Sequence, residues 1–332
     1  MQPKLSLIKL FAFLSLTAIL QSCGPEKPGT YRNDQIKSGK RADFHSLNDQ
    51  LFIGLKANNA KQLSGIMSAE FIDDHSKLRT VELLSNRMKE DSSYTILDEY
   101  YIVNDTKGKH KVECDSRNIN NYKVNYIADT REMYLVFFTP KVNPNRWLIA
   151  AQYNKLDYGW KLTALDVERY ITNGKTAPEL YKLAKEKAAK NCLVEAADIM
   201  GQAIECLRPA IGWQYPDEKE ITDFYGDLVE KVNKKYNFPY TLSRVKTQPQ
   251  IFRVFNQKSP DGVFPMIYYL SDIKLKDTIA LKKENESIRK VIGQAMPGID
   301  KDKKYVFYSV FNQMPDGTKA FDHFDITEKL QP

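Results

Sequence analysis

The chain has 332 residues, of which 42% are hydrophobic, 11% aromatic and 27% charged, with a formal net charge of +7. That length exceeds one typical core and asks for more than one domain, and the composition excludes a disordered or fibrous chain. Lysines alternate with acids, as in Lys282-Lys283-Glu284-Asn285-Glu286, so the basic balance describes solvated faces and excludes a nucleic-acid stripe.

Lys4 and Lys9 open the chain, an apolar run from Leu10 to Leu20 follows, and Leu20-Gln21-Ser22-Cys23 closes the segment. The run is too short for a comfortable membrane span and has the layout of a secretory signal. Ending on Leu-x-Ser-Cys, it resembles the lipobox of bacterial lipoproteins. The resemblance implies a signal peptide over 1–22 and a mature N-terminus at Cys23 that carries the lipid; an ordinary cleaved signal with an incidental cysteine and an uncleaved anchor are the other readings. Removing Lys4 and Lys9 takes the net charge from +7 to +5. Acyl chains contribute about 0.8 kcal/mol per buried methylene, so two or three of them hold a domain on a bilayer without help from charge. The membrane is therefore the first partner expected. By analogy with lipoprotein sorting, Gly24 after the cysteine points to the outer membrane, with the protein facing the periplasm.

Residues 23–41 contain two prolines and no apolar period, and read as a flexible tether with a reach of roughly 60 Å over 24–41. Phe44, Leu47, Leu51 and Leu55 recur at helical spacing, Asn58-Asn59 breaks the pattern, and two further helices carry Leu63, Ile66 and Met67 and then Leu78, Val81, Leu84 and Met88. From Tyr94 the texture is β-branched and aromatic, with strands predicted over 94–104, 109–115, 121–128, 132–139, 146–155 and 159–170. Helices followed by a long antiparallel meander make an α+β domain over 42–172. The Asn-rich break at Ala57 to Ala60 and the closing segments Trp147 to Tyr153 and Gly159 to Leu165 resemble the NTF2-like, cystatin-like α+β family. That resemblance implies a cone-shaped domain with a pocket between the sheet and the first helix. Related enzymes place an acid and a tyrosine there, for which this chain offers Asp98, Tyr100, Tyr126 and Asp166 on its strands.

Thr176-Ala177-Pro178-Glu179 is a capping box, and two small-residue helices over 176–209 look like one tetratricopeptide-type hairpin, read as a connector. Over 216–330, Val254-Phe255-Asn256-Gln257 followed by Pro260-Asp261-Gly262 returns as Val310-Phe311-Asn312-Gln313 followed by Pro315-Asp316-Gly317. The recurrence predicts a duplicated αββ unit, with helices over 217–235 and 278–295, forming a four-stranded antiparallel sheet with two helices on one face. The aromatic density there could make a sugar- or protein-binding surface.

Chemistry-bearing motifs are sparse. His45, His75, His110 and His323 lack metal-site spacing, and Asp73-Asp74-His75 reads as a loop and helix cap. Cys114, Cys192 and Cys206 are expected as buried, inert thiols, since one helix between the last two puts them ~21 Å apart, beyond disulfide reach. No phosphate loop, dinucleotide turn or nucleophile elbow occurs. The expectation is a non-catalytic envelope lipoprotein with no cofactor and no metal, binding a partner protein or a small ligand; the alternatives are an isomerase- or hydratase-type enzyme and a glycan- or solute-binding lipoprotein.

Overall fold

The computed structural model describes residues 26–90, 93–115, 118–141, 145–316 and 321–330. The signal segment 1–22, Cys23 and the first residues of the expected tether lie outside the described residues. The tether reading is corrected for its second half: β1 (Gly29–Arg32) pairs antiparallel with β2 (Tyr94–Val103), from Gly29 opposite Val103 to Arg32 opposite Tyr100. A polar edge strand held by backbone hydrogen bonds and one ion pair has no apolar period to betray it.

Four helices follow. α1 (Ser38–Ala57) ends at Asn58, which takes the left-handed conformation at φ +49°; Asn59 caps α2 (Ala60–Ile66) by accepting from Gln62 N. Ser68 caps α3 (Ala69–Ile72), and Asp74 caps α4 (His75–Glu90) by accepting from Ser76 N at 2.9 Å. The strands then begin where their β-branched runs begin: β2, β3 (Gly108–Cys114), β4 (Tyr122–Ala128), β5 (Glu132–Pro140), β6 (Arg146–Leu156) and β7 (Gly159–Ile171).

They do not form one meander. The central sheet has the order β1-β2-β5-β6-β7, while β3 and β4 leave it as a hairpin and join β8 (Trp213–Gln214) in a second sheet. The reason lies in side-chain patterning. Asp98 to Val103 of β2 and Met133 to Pro140 of β5 are buried on both faces, whereas β3 and β4 alternate buried and exposed residues and can keep one face in water.

Each face of the central sheet has its own cover. Phe44, Leu51 and Leu55 of α1, with Phe71 and Leu84, pack on Tyr134, Val136, Phe138 and Ile149. The opposite face, with Leu135, Phe137 and Leu148, packs on Val112, Tyr122 and Val124 of the hairpin, on α5 (Ala177–Ala189) and α6 (Leu193–Glu205), and on Trp213. Trp213 is fully buried and stacks on Tyr122 at 3.6 Å between ring centroids. At Gly212, φ is +78° and an added Cβ would lie 2.0 Å from the Asn125 carbonyl oxygen, so only glycine admits this approach of β8 to β4.

The last third runs α7 (Glu218–Tyr236), β9 (Tyr240–Thr241), β10 (Gln250–Ser259), β11 (Gly262–Leu270), α8 (Thr278–Ala295), β12 (Tyr305–Phe311) and β13 (Phe324–Lys329). The sheet order is β13-β12-β11-β10-β9, and β11 pairs with β12 in parallel. This corrects the expected four-stranded antiparallel sheet. The 18-residue α8 carries the chain back along the sheet by about 27 Å, so β12 starts at the same end as β11. Val232, Leu281, Ile288 and Ile292 of the two helices pack on Ile251, Ile267, Val306 and Val310, so both helices cover the same face.

Candidate functional site

Towards β6 and β7 the hairpin β3–β4 parts from the central sheet and leaves an open cleft of about 900 Å³. Register sets its floor: Phe137 lies opposite Ala150 and Ala150 opposite Asp166, while Leu135 lies opposite Gln152 and Gln152 opposite Ala164. The two alanines make the room. His110, Val124 and Tyr126 of the hairpin form the wall, and the lining includes Ile127 and Ile211, which are 59% and 80% exposed. Two large apolar side chains are thus held in water beside an apolar floor.

Three polar groups in the cleft, Asp166, Tyr126 and His110, are already engaged. Asp166 Oδ1 accepts from Val167 N and Oδ2 from Ile211 N, both at 2.9 Å. Tyr126 OH donates to Asn104 Oδ1 at 3.0 Å, and burial pushes its pKa up to about 12. His110 Nε2 sits 2.9 Å from the Thr106 carbonyl oxygen, an acceptor that fixes the proton on that nitrogen, and its ring stacks on Tyr126. These contacts fix the shape of the cleft wall.

Of the four sequence candidates, Tyr126 and Asp166 meet in this cleft, while Asp98 lies elsewhere. Pleat alternation puts the adjacent acids Asp98 and Glu99, just past a bulge between Ile96 and Asp98, on opposite faces of β2. Asp98 Oδ1 accepts from Arg32 Nε at 2.9 Å and Nη2 at 2.7 Å and from Asn33 Nδ2 at 2.9 Å; Oδ2 accepts from Tyr122 OH at 2.7 Å, and Tyr122 OH lies 2.9 Å from Tyr100 OH. Burial pulls the Arg32 guanidinium down, but the hydrogen bond and charge of Asp98 outweigh it and raise its pKa. Glu99, fully buried, accepts from Arg41 Nε at 2.5 Å and Tyr134 OH at 2.7 Å, with His45 Nε2 at 3.0 Å. Both acids thus tie the N-terminal segment to the sheet. Arg32, Glu99 and Tyr122 escaped the sequence reading; two adjacent carboxylates inside an otherwise apolar strand were the available signal.

The pocket expected between the sheet and the first helix is filled instead. Phe44 stacks on Tyr134 at 4.1 Å and meets Trp160 edge-on at 5.0 Å, so aromatic packing occupies the space. His45 and His110 take the roles above, His75 opens α4, and His323 stacks on Phe311. Cys114 and Cys206 are buried, with burial pushing Cys206 up to about 11, whereas Cys192 at the start of α6 is only half-buried, a correction to its expected place in the core. Among the described residues no group of three or more His, Cys, Asp or Glu could hold a metal ion.

A second cleft, about 510 Å³, lies between α5, α6 and β11. Glu195 there pairs with Lys187 at 3.0 Å and Lys303 at 3.1 Å, while Asp198 Oδ1 is sealed from solvent with no hydrogen-bond partner. Burial pushes the Asp198 carboxyl up to about 7, against the pull of Lys303 and the Gln202 hydrogen bond.

Comparison with protein-family models, curated proteins and solved structures finds no match to this chain. Among the described residues no helix is long and apolar enough to cross a membrane.

Proposed function

We propose that this chain is a lipid-anchored, non-catalytic binding protein of the bacterial cell envelope, whose cleft between the two N-terminal sheets takes a small apolar ligand or an apolar segment of a partner protein. The observation that carries the reading is the cleft itself: an apolar floor of Leu135, Phe137, Ala150 and Ala164 over which Asp166, Tyr126 and His110 are each spent on a backbone or amide contact. The anchor is acylated Cys23, on the sequence pattern that ends at that residue. Residues 42–172 form an NTF2-like domain, in keeping with helices packed on one face of a sheet that closes with the β6–β7 hairpin. The α7–β10–β11 and α8–β12–β13 units are two copies of one αββ ancestor. Val254 and Val310 both pack on the helical side, which supports that descent. An isomerase-type enzyme has the Asp98–Tyr122–Tyr100 chain in its favour, but Arg32 and Asn33 occupy the other oxygen of that acid.

Titration with 8-anilinonaphthalene-1-sulfonate tests the cleft. The full chain should enhance its fluorescence saturably, and Ala164→Trp, which fills the floor, should weaken binding at least tenfold; equal binding by the variant sinks the reading. For the address, Cys23→Ser should move the protein out of the membrane pellet, and retention there refutes acylation at that residue.

A further inference from the structure

Register across the C-terminal sheet sorts its side chains into two faces. One face lies under α7 and α8. On the other, the pairings place Arg253, Tyr268, Ser309 and Asp325 in one row and Phe255, Met266, Phe307 and Thr327 in the next, four strands wide. At ~4.8 Å between strands each row spans about 14 Å. No helix covers these rows among the described residues, and Phe255, Tyr268 and Phe307 each keep part of the ring exposed. The rings brace one another: Phe255 meets Tyr268 edge-on at 4.9 Å, Tyr268 lies 5.0 Å from Phe311, and Tyr305 stacks on Phe307 at 5.8 Å. The result is a firm aromatic platform that loses little entropy when something lies on it.

Charge narrows the occupant. Asp325 is engaged, accepting from Ser309 Oγ at 2.5 Å with His323 Nε2 at 3.5 Å. Arg253, over the Phe255 ring at 4.8 Å, has no carboxylate partner among the described residues, whereas Lys329 at the far corner feels the charge of Asp261. The face therefore combines ring surfaces for C–H contacts, the exposed Thr327 hydroxyl, and the exposed Arg253 guanidinium for a carboxylate. An extended peptide is a poor fit, because a sheet face offers no main-chain partners for its backbone groups, which would dock at an edge strand instead. A polysaccharide keeps its outward hydroxyls in water and presents the C–H side of its rings. We propose that this open face binds an acidic polysaccharide, a chain of sugar rings bearing carboxylates, through stacking on Tyr268, Phe255 and Phe307 and charge pairing with Arg253.

Calorimetric titration of the full chain with polygalacturonate oligomers tests this, with neutral cello-oligosaccharides and poly-glutamate as the other arms. Polygalacturonate should bind, and Arg253→Glu, an exposed change, should weaken it at least tenfold with the melting temperature unmoved. Tyr268→Ala should do the same, judged on folded protein by its circular dichroism. No binding, equal binding of the neutral sugars, poly-glutamate binding as tight as polygalacturonate, or indifference to Arg253→Glu would each overturn the proposal.

Discussion

Asp198 offers a quantitative test of how the helical hairpin and the C-terminal sheet are joined. Its Oδ1 has no donor, Gln202 Nε2 reaches only Oδ2 at a long 3.4 Å, and Asn256 Nδ2 is spent on the Asp198 backbone carbonyl at 2.8 Å. Burial raises the folded-state carboxyl from 3.8 to about 7. The folded chain then holds a proton that the unfolded chain releases, so stability is full below pH ~4 and falls as pH rises towards 7. About three pKa units at ~1.4 kcal/mol each set an upper bound near 4 kcal/mol. The residue as a whole is only half-buried, and solvent relief about halves that figure, to roughly 2 kcal/mol. Asp198→Asn keeps the shape and removes the charge. Urea unfolding should show the variant about 2 kcal/mol more stable at pH 8 and unchanged at pH 4. A variant less stable at pH 8, or a gain of equal size at both pH values, would refute the reasoning.

Gly212→Ala should cost about 2–4 kcal/mol in urea unfolding, because the new Cβ meets the Asn125 carbonyl at 2.0 Å in a left-handed backbone; a loss below 0.5 kcal/mol would show that β8 can shift. Glu132 is pushed up by burial, but Lys155, Tyr101 and Lys40 hydrogen bonds hold it at about 2, so its contribution is present above the ordinary carboxylate range and lost as pH falls from ~4.5 towards 2. Glu132→Gln should be roughly 1–2 kcal/mol less stable at pH 7, allowing for solvent screening, with the difference gone near pH 2; a pH-independent loss contradicts the assignment. Glu99→Ala, which leaves the buried Tyr134 hydroxyl without its acceptor and Arg41 with Asp34 alone, should lower stability by about 3 kcal/mol and expose the Gly29–Arg32 amides to hydrogen exchange; unchanged protection there would separate Glu99 from the N-terminal clamp.

Local chemistry was legible in the sequence because its causes are local. The capping box at Thr176 and Glu179 starts α5 where expected, with Thr176 N donating to Glu179 Oε2 at 2.9 Å, and Gly262 begins β11 directly after the Pro260-Asp261 turn. What stayed hidden depends on partners distant in the chain. Nothing within β3 or β4 says that β2 will pair with β5 across them; that follows from which strands are apolar on both faces, a tally made only when all are compared. The cleft shows the same limit. Tyr126 and Asp166 were legible as strand residues, but their meeting depends on the register that sets Ala150 opposite Asp166 and Ala164 opposite Gln152, and Ile211 enters through a loop between two prolines that reads as a linker. The parallel β11–β12 pair was hidden too, since a repeated strand–turn–strand pattern leaves open how its two copies join.

The central claim is a preformed cleft that holds a ligand over Phe137 without doing chemistry on it. Its most direct test is a crystal structure of the full chain with 8-anilinonaphthalene-1-sulfonate. The account predicts the naphthalene ring between Tyr126 and Ala150, with Asp166 still accepting from Ile211 N. A hairpin collapsed onto Ala150, or the probe bound only elsewhere, would contradict it.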